Sequence, residues 1–315
     1  MAKSVFGAIE FVLNLIKMKG TEIIIISNIE SDLSLIKFPN VEIVDLNNFP
    51  FSKDGQSESI KKNIEYEFLF DKSKRFVIKT DDKYPMHSIH KTFSFLKVLF
   101  PSSLKIEYFV DGIYNENNFV TTYYHNTDLN DSSKDDYLHF DELKIPLIND
   151  FIVNTFSDFY KIGYIENSIK NYIGSFDASH KHFRFLSLCI CLECLINETS
   201  ELLYRISRGC SIICGEDKEK ANLIFFNIKK IYNLRSKIVH GSDFDWEKLD
   251  NYLVYLECLV SKIIVELLIH KIDNSKTINT MLTELGFGQK YQLSDNWYEF
   301  KFNDKVENKI IEILK

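Results

Sequence analysis

Apolar periodicity predicts an α+β chain: a mixed α/β domain over residues 1–140, then an all-helical domain over residues 141–315. Three observations carry this. The first part mixes β-branched, alternating segments with helix-like spacing. From Pro146 onward apolar residues return every three or four positions, as on one helix face. At 315 residues the chain is long for one domain, and only 11 Gly and 5 Pro argue for regular elements over linkers.

In order, Val5 to Lys19 reads as a helix ended by Gly20. Thr21 to Ser27 is a β-branched run, expected to be a buried strand, and Val41 to Leu46 alternates as a second strand. Ser52 to Ser59 is a polar loop, and Ser59 to Phe70 and His87 to Phe100 have helical spacing. Arg75 to Thr80, Leu104 to Val110 and Phe119 to His125 read as strands, and the Asp/Ser/Asn-rich Thr127 to Asp136 as a linker. Four long helical stretches follow, implying an up-and-down bundle. They are Pro146 to Ser175 (broken near Gly163), His180 to Gly209 with Phe183, Leu186 and Ile190 on its apolar face, Lys218 to His240, and Asp245 to Ile272. The tail from Thr277 suggests a short helix, an aromatic strand-like piece and a final helix.

Net charge is −7, from 38 basic and 45 acidic residues, so any nucleic-acid site must be a local basic patch. The six cysteines all lie between Cys189 and Cys258, which suits free thiols in a reducing cytoplasm better than a secreted disulfide scaffold. Glu10 interrupts the apolar face at the start, so a signal peptide is not expected. No apolar run reaches membrane-spanning length.

The most informative run is Tyr232-Asn233-Leu234-Arg235-Ser236-Lys237-Ile238-Val239-His240-Gly241. Gly241 is a natural helix stop, which puts His240 in the last turn, where the helix dipole favours a protonated imidazole. That suits a general acid. Ser236 is four residues back and shares its face. Arg235, five back, lies roughly 140° around the axis, yet can border the same cleft. A planar guanidinium fits a phosphate, and Lys229, Lys230 and Lys237 make the segment locally basic. An Arg and a His are a minimal kit for cleaving RNA without a metal. The same spacing also occurs in many helices by chance.

Around this run, residues from about Leu143 to His270 resemble the HEPN superfamily, especially its Apea-like branch. Arg184 to Leu188, followed by Leu192-Glu193-Cys194-Leu195, is similar to that branch's central helix with its buried Glu. Ser200 to Ile206 is similar to its continuation, with Arg205 pointing inward, and Leu234 to Gly241 to its Arg/His signature. The resemblance implies a four-helix bundle, a homodimer, and a metal-independent endoribonuclease needing no cofactor. Arg235 would hold the scissile phosphate and His240 would move protons at a cleft shared by two copies. Ser236, Glu193, Arg205 and Lys237 would support the site. Ser236 stands where many HEPN nucleases carry Asn, Asp or His. For Glu193 and Arg205 a plain ion pair closing the bundle is an equal reading. The family also implies RNA as substrate, a setting in bacterial stress or anti-phage defence, and a phage- or host-derived trigger; residues 1–140 would sense that trigger or restrain the nuclease. The alternative is a non-catalytic HEPN dimer that binds RNA or protein.

Other candidates are weaker. His87 and His90 are spaced as a metal pair but lack a matching Cys or carboxylate cluster, so a solvated helix face is the better reading. A helix sends Cys189, Cys191 and Cys194 to different faces, as core positions. His180 and His182 read as surface residues. No P-loop, dinucleotide-binding glycine pattern or nucleophile elbow is present.

Overall fold

The computed structural model of the protein describes residues 21–53, 55–68, 73–80, 85–115, 117–127, 136–196, 201–272, 274–290 and 301–314. The helix expected over Val5–Lys19, most of the 127–136 linker and the strand-like piece of the tail lie outside them. The fold is α+β, with a five-stranded antiparallel sheet and ten helices among the described residues. It divides into two compact units, Met1–Phe93 with Ser102–His139, and Ser94–Pro101 with Phe140–Lys315.

In the first unit, β1 (Thr21–Ile29), β2 (Val41–Asp45), β3 (Lys74–Thr80), β4 (Lys105–Asn115) and β5 (Asn118–Asn126) form a sheet of order β2-β3-β1-β4-β5. Every pairing is antiparallel. β1 is central, and Ile23 to Ile26 are all fully buried. A strand covered on both faces has no polar side to alternate with, which is why its sequence reads as an unbroken β-branched run. One face carries Ile23, Ile25, Val77, Tyr108 and Val110 and packs with Ile60 of α1 (Gly55–Phe68). α1 begins inside the stretch expected to be a polar loop. On the other face His90 of α2 (Pro85–Leu99) meets Phe109. β4 runs past its expected end at Val110 because Gly112 lets Phe119 lie across it, and a Cβ there would stand 2.3 Å from that ring.

In the second unit the end of α2 enters an aromatic core. Phe95 meets Phe159 at 4.7 Å and Phe156 at 5.3 Å between ring centroids. Ser261 donates to the Val98 carbonyl at 2.5 Å. Then come α3 (Ile145–Thr155), α4 (Gly163–Phe176), α5 (Lys181–Leu195), α6 (Leu202–Cys214), α7 (Lys218–Val239), α8 (Trp246–Ile269), α9 (Ser275–Glu284) and α10 (Asp304–Lys309). α4 packs on α5, α5 on α8, and α6 on α7. α8 is the most enclosed, with every residue from Tyr255 to Leu268 buried. Its charged residues there are paired: Glu257 with Arg184 at 2.7 Å, and Lys262 with Glu266 at 2.8 Å and Glu307 of α10 at 2.6 Å.

Two expectations are corrected here. The helix expected over His180–Gly209 is two helices. Ile196 leaves the helical region at φ −124°, ψ 60°, and Glu201 is left-handed at φ 55°. α6 then runs past Gly209 to Cys214. Gly209 is no stop; it makes room for Ile196, whose Cγ2 would be 2.7 Å from an added Cβ. Phe183 and Ile190, expected on the apolar face, are exposed. α5 buries Phe185, Leu188, Cys189 and Leu192 instead.

The tail fastens the unit. Asn227 of α7 donates from Nδ2 to the Glu312 carbonyl at 2.6 Å and accepts from the Leu314 amide at 3.1 Å. Lys230 donates to the Leu314 carbonyl, and the Tyr255 hydroxyl to the Ile310 carbonyl at 3.2 Å. Among the described residues no helix is long and apolar enough to cross a membrane.

Candidate active site

α7 positions the signature residues. Asp217 caps its start, accepting from the Lys220 amide at 2.8 Å. Ile224, Ile228 and Ile231 bury one face against the neighbouring helices. The end is a Schellman turn: the Gly241 amide reaches the Ile238 carbonyl at 3.2 Å, and the Ser242 amide the Lys237 carbonyl at 2.9 Å. Gly241 takes φ +67°, a conformation that L side chains resist. His240 is therefore the C-cap residue, exposed, with its backbone amide on the Ser236 carbonyl at 3.1 Å.

Arg235 turns the other way. Its guanidinium pairs with Glu193 of α5 at 3.0 Å, with both side chains about a quarter to a third exposed (30% and 24%). The Tyr232 hydroxyl donates to the same carboxylate at 3.3 Å, and the Arg235 guanidinium lies 5.7 Å from the Tyr232 ring centre. Burial, then neighbouring Cys189 and Glu193, push the phenol well above its usual range, so it stays a donor. Glu193 is thus spoken for by Arg235 and Tyr232. Sequence reasoning gave Tyr232 no role, although it stands three residues before Arg235 and hence on an adjoining face.

Ser236 and Lys237 are exposed on α7, and Arg205 lies half-buried on α6. Among the described residues no hydrogen bond or ion pair joins His240 to Arg235, so one copy brings together Arg235, Glu193 and Tyr232 and leaves His240 apart. Lys220 pairs with Glu216 and Asp217, and Arg235 with Glu193, but past its first turn α7 itself carries charge of one sign. From Lys220 to Ser242 there is no carboxylate, while Lys220, Lys229, Lys230, Arg235 and Lys237 are all cationic. In a chain of net charge −7 that is a local basic band, and the missing acids were the signal to read.

Elsewhere, Cys189 and Cys191 are buried and burial raises both thiols far above their usual range, so they are inert core residues. His87 and His90 are exposed on α2. His180 and His182 stack at 5.5 Å beside Phe183, at the start of α5. Among the described residues no group of three or more His, Cys, Asp or Glu side chains is placed to hold a metal ion.

Comparison with protein-family models, with curated proteins and with solved structures finds no match to this chain.

Proposed function

We propose that the chain is a metal-independent endoribonuclease of the HEPN type, acting in the cytoplasm in bacterial stress or anti-phage defence. Its helical part is read as a HEPN four-helix bundle that works as a homodimer. One observation supports this above others: Arg235 is held near solvent by Glu193 and Tyr232, while His240 stands exposed at the capped end of the same helix. A guanidinium fixed by two partners is a preorganised phosphate clamp. An exposed imidazole is free to exchange protons. Because Arg235 and His240 do not meet within one copy, two copies are needed to complete a cleft.

The reaction balances within those residues. The substrate 2′-oxygen attacks phosphorus and its proton goes to one His240. The bond from phosphorus to the 5′-oxygen breaks, and the second copy's protonated His240 gives that oxygen a proton. The products are a 2′,3′-cyclic phosphate and a 5′-hydroxyl end. Arg235 holds the phosphate oxygens as charge builds on them. Residues 1–140 are assigned the sensing of a phage- or host-derived trigger or the restraint of the nuclease.

The test is incubation of the full-length protein with total cellular RNA in EDTA, alone and with lysate of phage-infected cells. Cleavage leaving 5′-hydroxyl ends is expected, and Arg235→Ala and His240→Ala should each lower it at least 100-fold. Activity that requires added Mg²⁺, or survives both substitutions, overturns the mechanism. A second reading is a HEPN dimer that binds RNA or protein without cutting it. The engagement of Arg235 by Glu193 favours that reading, and RNA binding without cleavage under either condition would establish it.

A further inference from the structure

A pocket of about 400 Å³ opens between the start of α6 and the middle of α7, away from the Arg235–Glu193 pair. Glu201, Leu202, Leu203, Tyr204, Phe225 and Lys229 line it. Tyr204 is 53% exposed although aromatic. Its ring stands edge-on to Phe225 at 6.2 Å, and Lys229 Nζ lies 5.7 Å from the Phe225 ring centre. Glu201 is the N-cap residue of α6, its side chain makes no capping hydrogen bond, and it lines the pocket. Rings, a cation and a carboxylate acceptor thus converge on one small space.

The placement along α7 gives the pocket a direction. Phe225, Lys229, Ser236 and His240 are spaced four, seven and four residues apart, so they fall within about 60° of one another around the axis. Lys229 and His240 are separated by about 16 Å along it, at ~1.5 Å per residue. The band between them holds no carboxylate. A polyanion held at Lys229 and lying along this stripe would pass Ser236 on its way to His240 and meet no carboxylate of the helix.

We propose that this pocket binds one unpaired RNA nucleotide, with its base against Tyr204 and Phe225, its phosphate on Lys229, and an exocyclic amine of the base donating to Glu201. Aromatic side chains accept any base by stacking, which supplies affinity. The carboxylate supplies choice, because it accepts a hydrogen bond from the amino group of cytosine but meets only a carbonyl at the same position of uracil. The pocket therefore prefers cytosine to uracil and sets which base lies a few nucleotides from the cut. The inference takes RNA as ligand from the ribonuclease reading and needs nothing of its chemistry.

The experiment is fluorescence anisotropy of the full-length protein in EDTA with labelled twelve-nucleotide oligo(C) and oligo(U) carrying 2′-O-methyl groups, which cannot be cleaved. Oligo(C) should bind more tightly. Tyr204→Ala and Phe225→Leu should weaken both about tenfold, the order expected for one lost stack. Glu201→Gln should erase the preference for oligo(C), because its amide can accept from the cytosine amine or donate to the uracil carbonyl. Tyr204 is largely exposed, so its variant keeps the fold, and a thermal melt confirms it for each protein. Equal binding of the two oligomers with no response to these substitutions, or no binding of either, overturns the proposal. Base-selective binding without cleavage of natural RNA keeps the site and sinks the nuclease. Cleavage indifferent to Tyr204, Phe225 and Glu201 does the reverse.

Discussion

Glu193 accepts from both Arg235 and Tyr232, so two side chains share one carboxylate. The ion pair is partly exposed and is worth little to stability, of order 0–1 kcal/mol. Its use is to fix the guanidinium. Tyr232→Phe removes a donor from Glu193 and from the Cys189 carbonyl, 3.4 Å away. Since the phenol is buried, the loss should cost about 1 kcal/mol, read as a small drop in the melting midpoint. On the ribonuclease reading, cleavage by Tyr232→Phe should fall by about tenfold, because Glu193, which pairs with Arg235, loses its second donor. Cleavage by the variant at the wild-type rate would mean that Glu193 alone orients Arg235. The sequence made the helix stop at Gly241, with His240 at the helix end, readable, since a terminal glycine and its neighbours interact locally. It hid Tyr232, because nothing in the spacing says that α5, two helices earlier in the chain, presents a carboxylate to it.

At the scale of elements, local signals were legible and long-range ones were not. β1, α7 and α8 stand close to where periodicity puts them, because each buries a regular stripe. The break between α5 and α6 was invisible, since Leu195, Leu202, Leu203 and Ile206 keep an apolar beat across it. What decides it is tertiary: Ile196 packs into the gap left by Gly209. That makes a sharp test. Gly209→Ala places a Cβ 2.7 Å from Ile196 Cγ2 and 3.2 Å from Leu282 Cδ1, so it should destabilise the protein by about 1–3 kcal/mol. Gly241→Ala meets nothing within 4 Å, and its cost should come from φ alone, about 1 kcal/mol. Chemical denaturation of both variants separates the two causes. A harmless Gly209→Ala would show that the α5–α6 break has another origin.

Over the whole molecule, periodicity foresaw a change from mixed to helical structure, but not that α2 serves both units. Its first nine residues, Pro85 to Phe93, count with the sheet, and Ser94 to Leu99 with the helices. Phe95, Leu96, Val98, Leu99 and Phe100 are all buried, and the sequence around them reads only as one more amphipathic helix. A fragment starting at residue 140 therefore lacks part of its own core, including the ring against Phe156 and Phe159. It should melt non-cooperatively or aggregate, and circular dichroism with light scattering would show this. A fragment from 140 that melts as one sharp transition would show those rings to be dispensable.

The tail adds a consequence in time. The helix that carries Arg235 and His240 is fastened at Asn227 and Lys230 to the backbone of residues 312 and 314. Synthesis adds about 5–20 residues per second, so several seconds separate the making of His240 from the making of these last anchors. During that interval Asn227 has no carbonyl or amide of the tail to bond. A nascent chain still on the ribosome, surrounded by RNA, thus carries the Arg and the His before it carries the contacts that finish their helix. The order of translation thus leaves α7 without these anchors until residue 314 has been made.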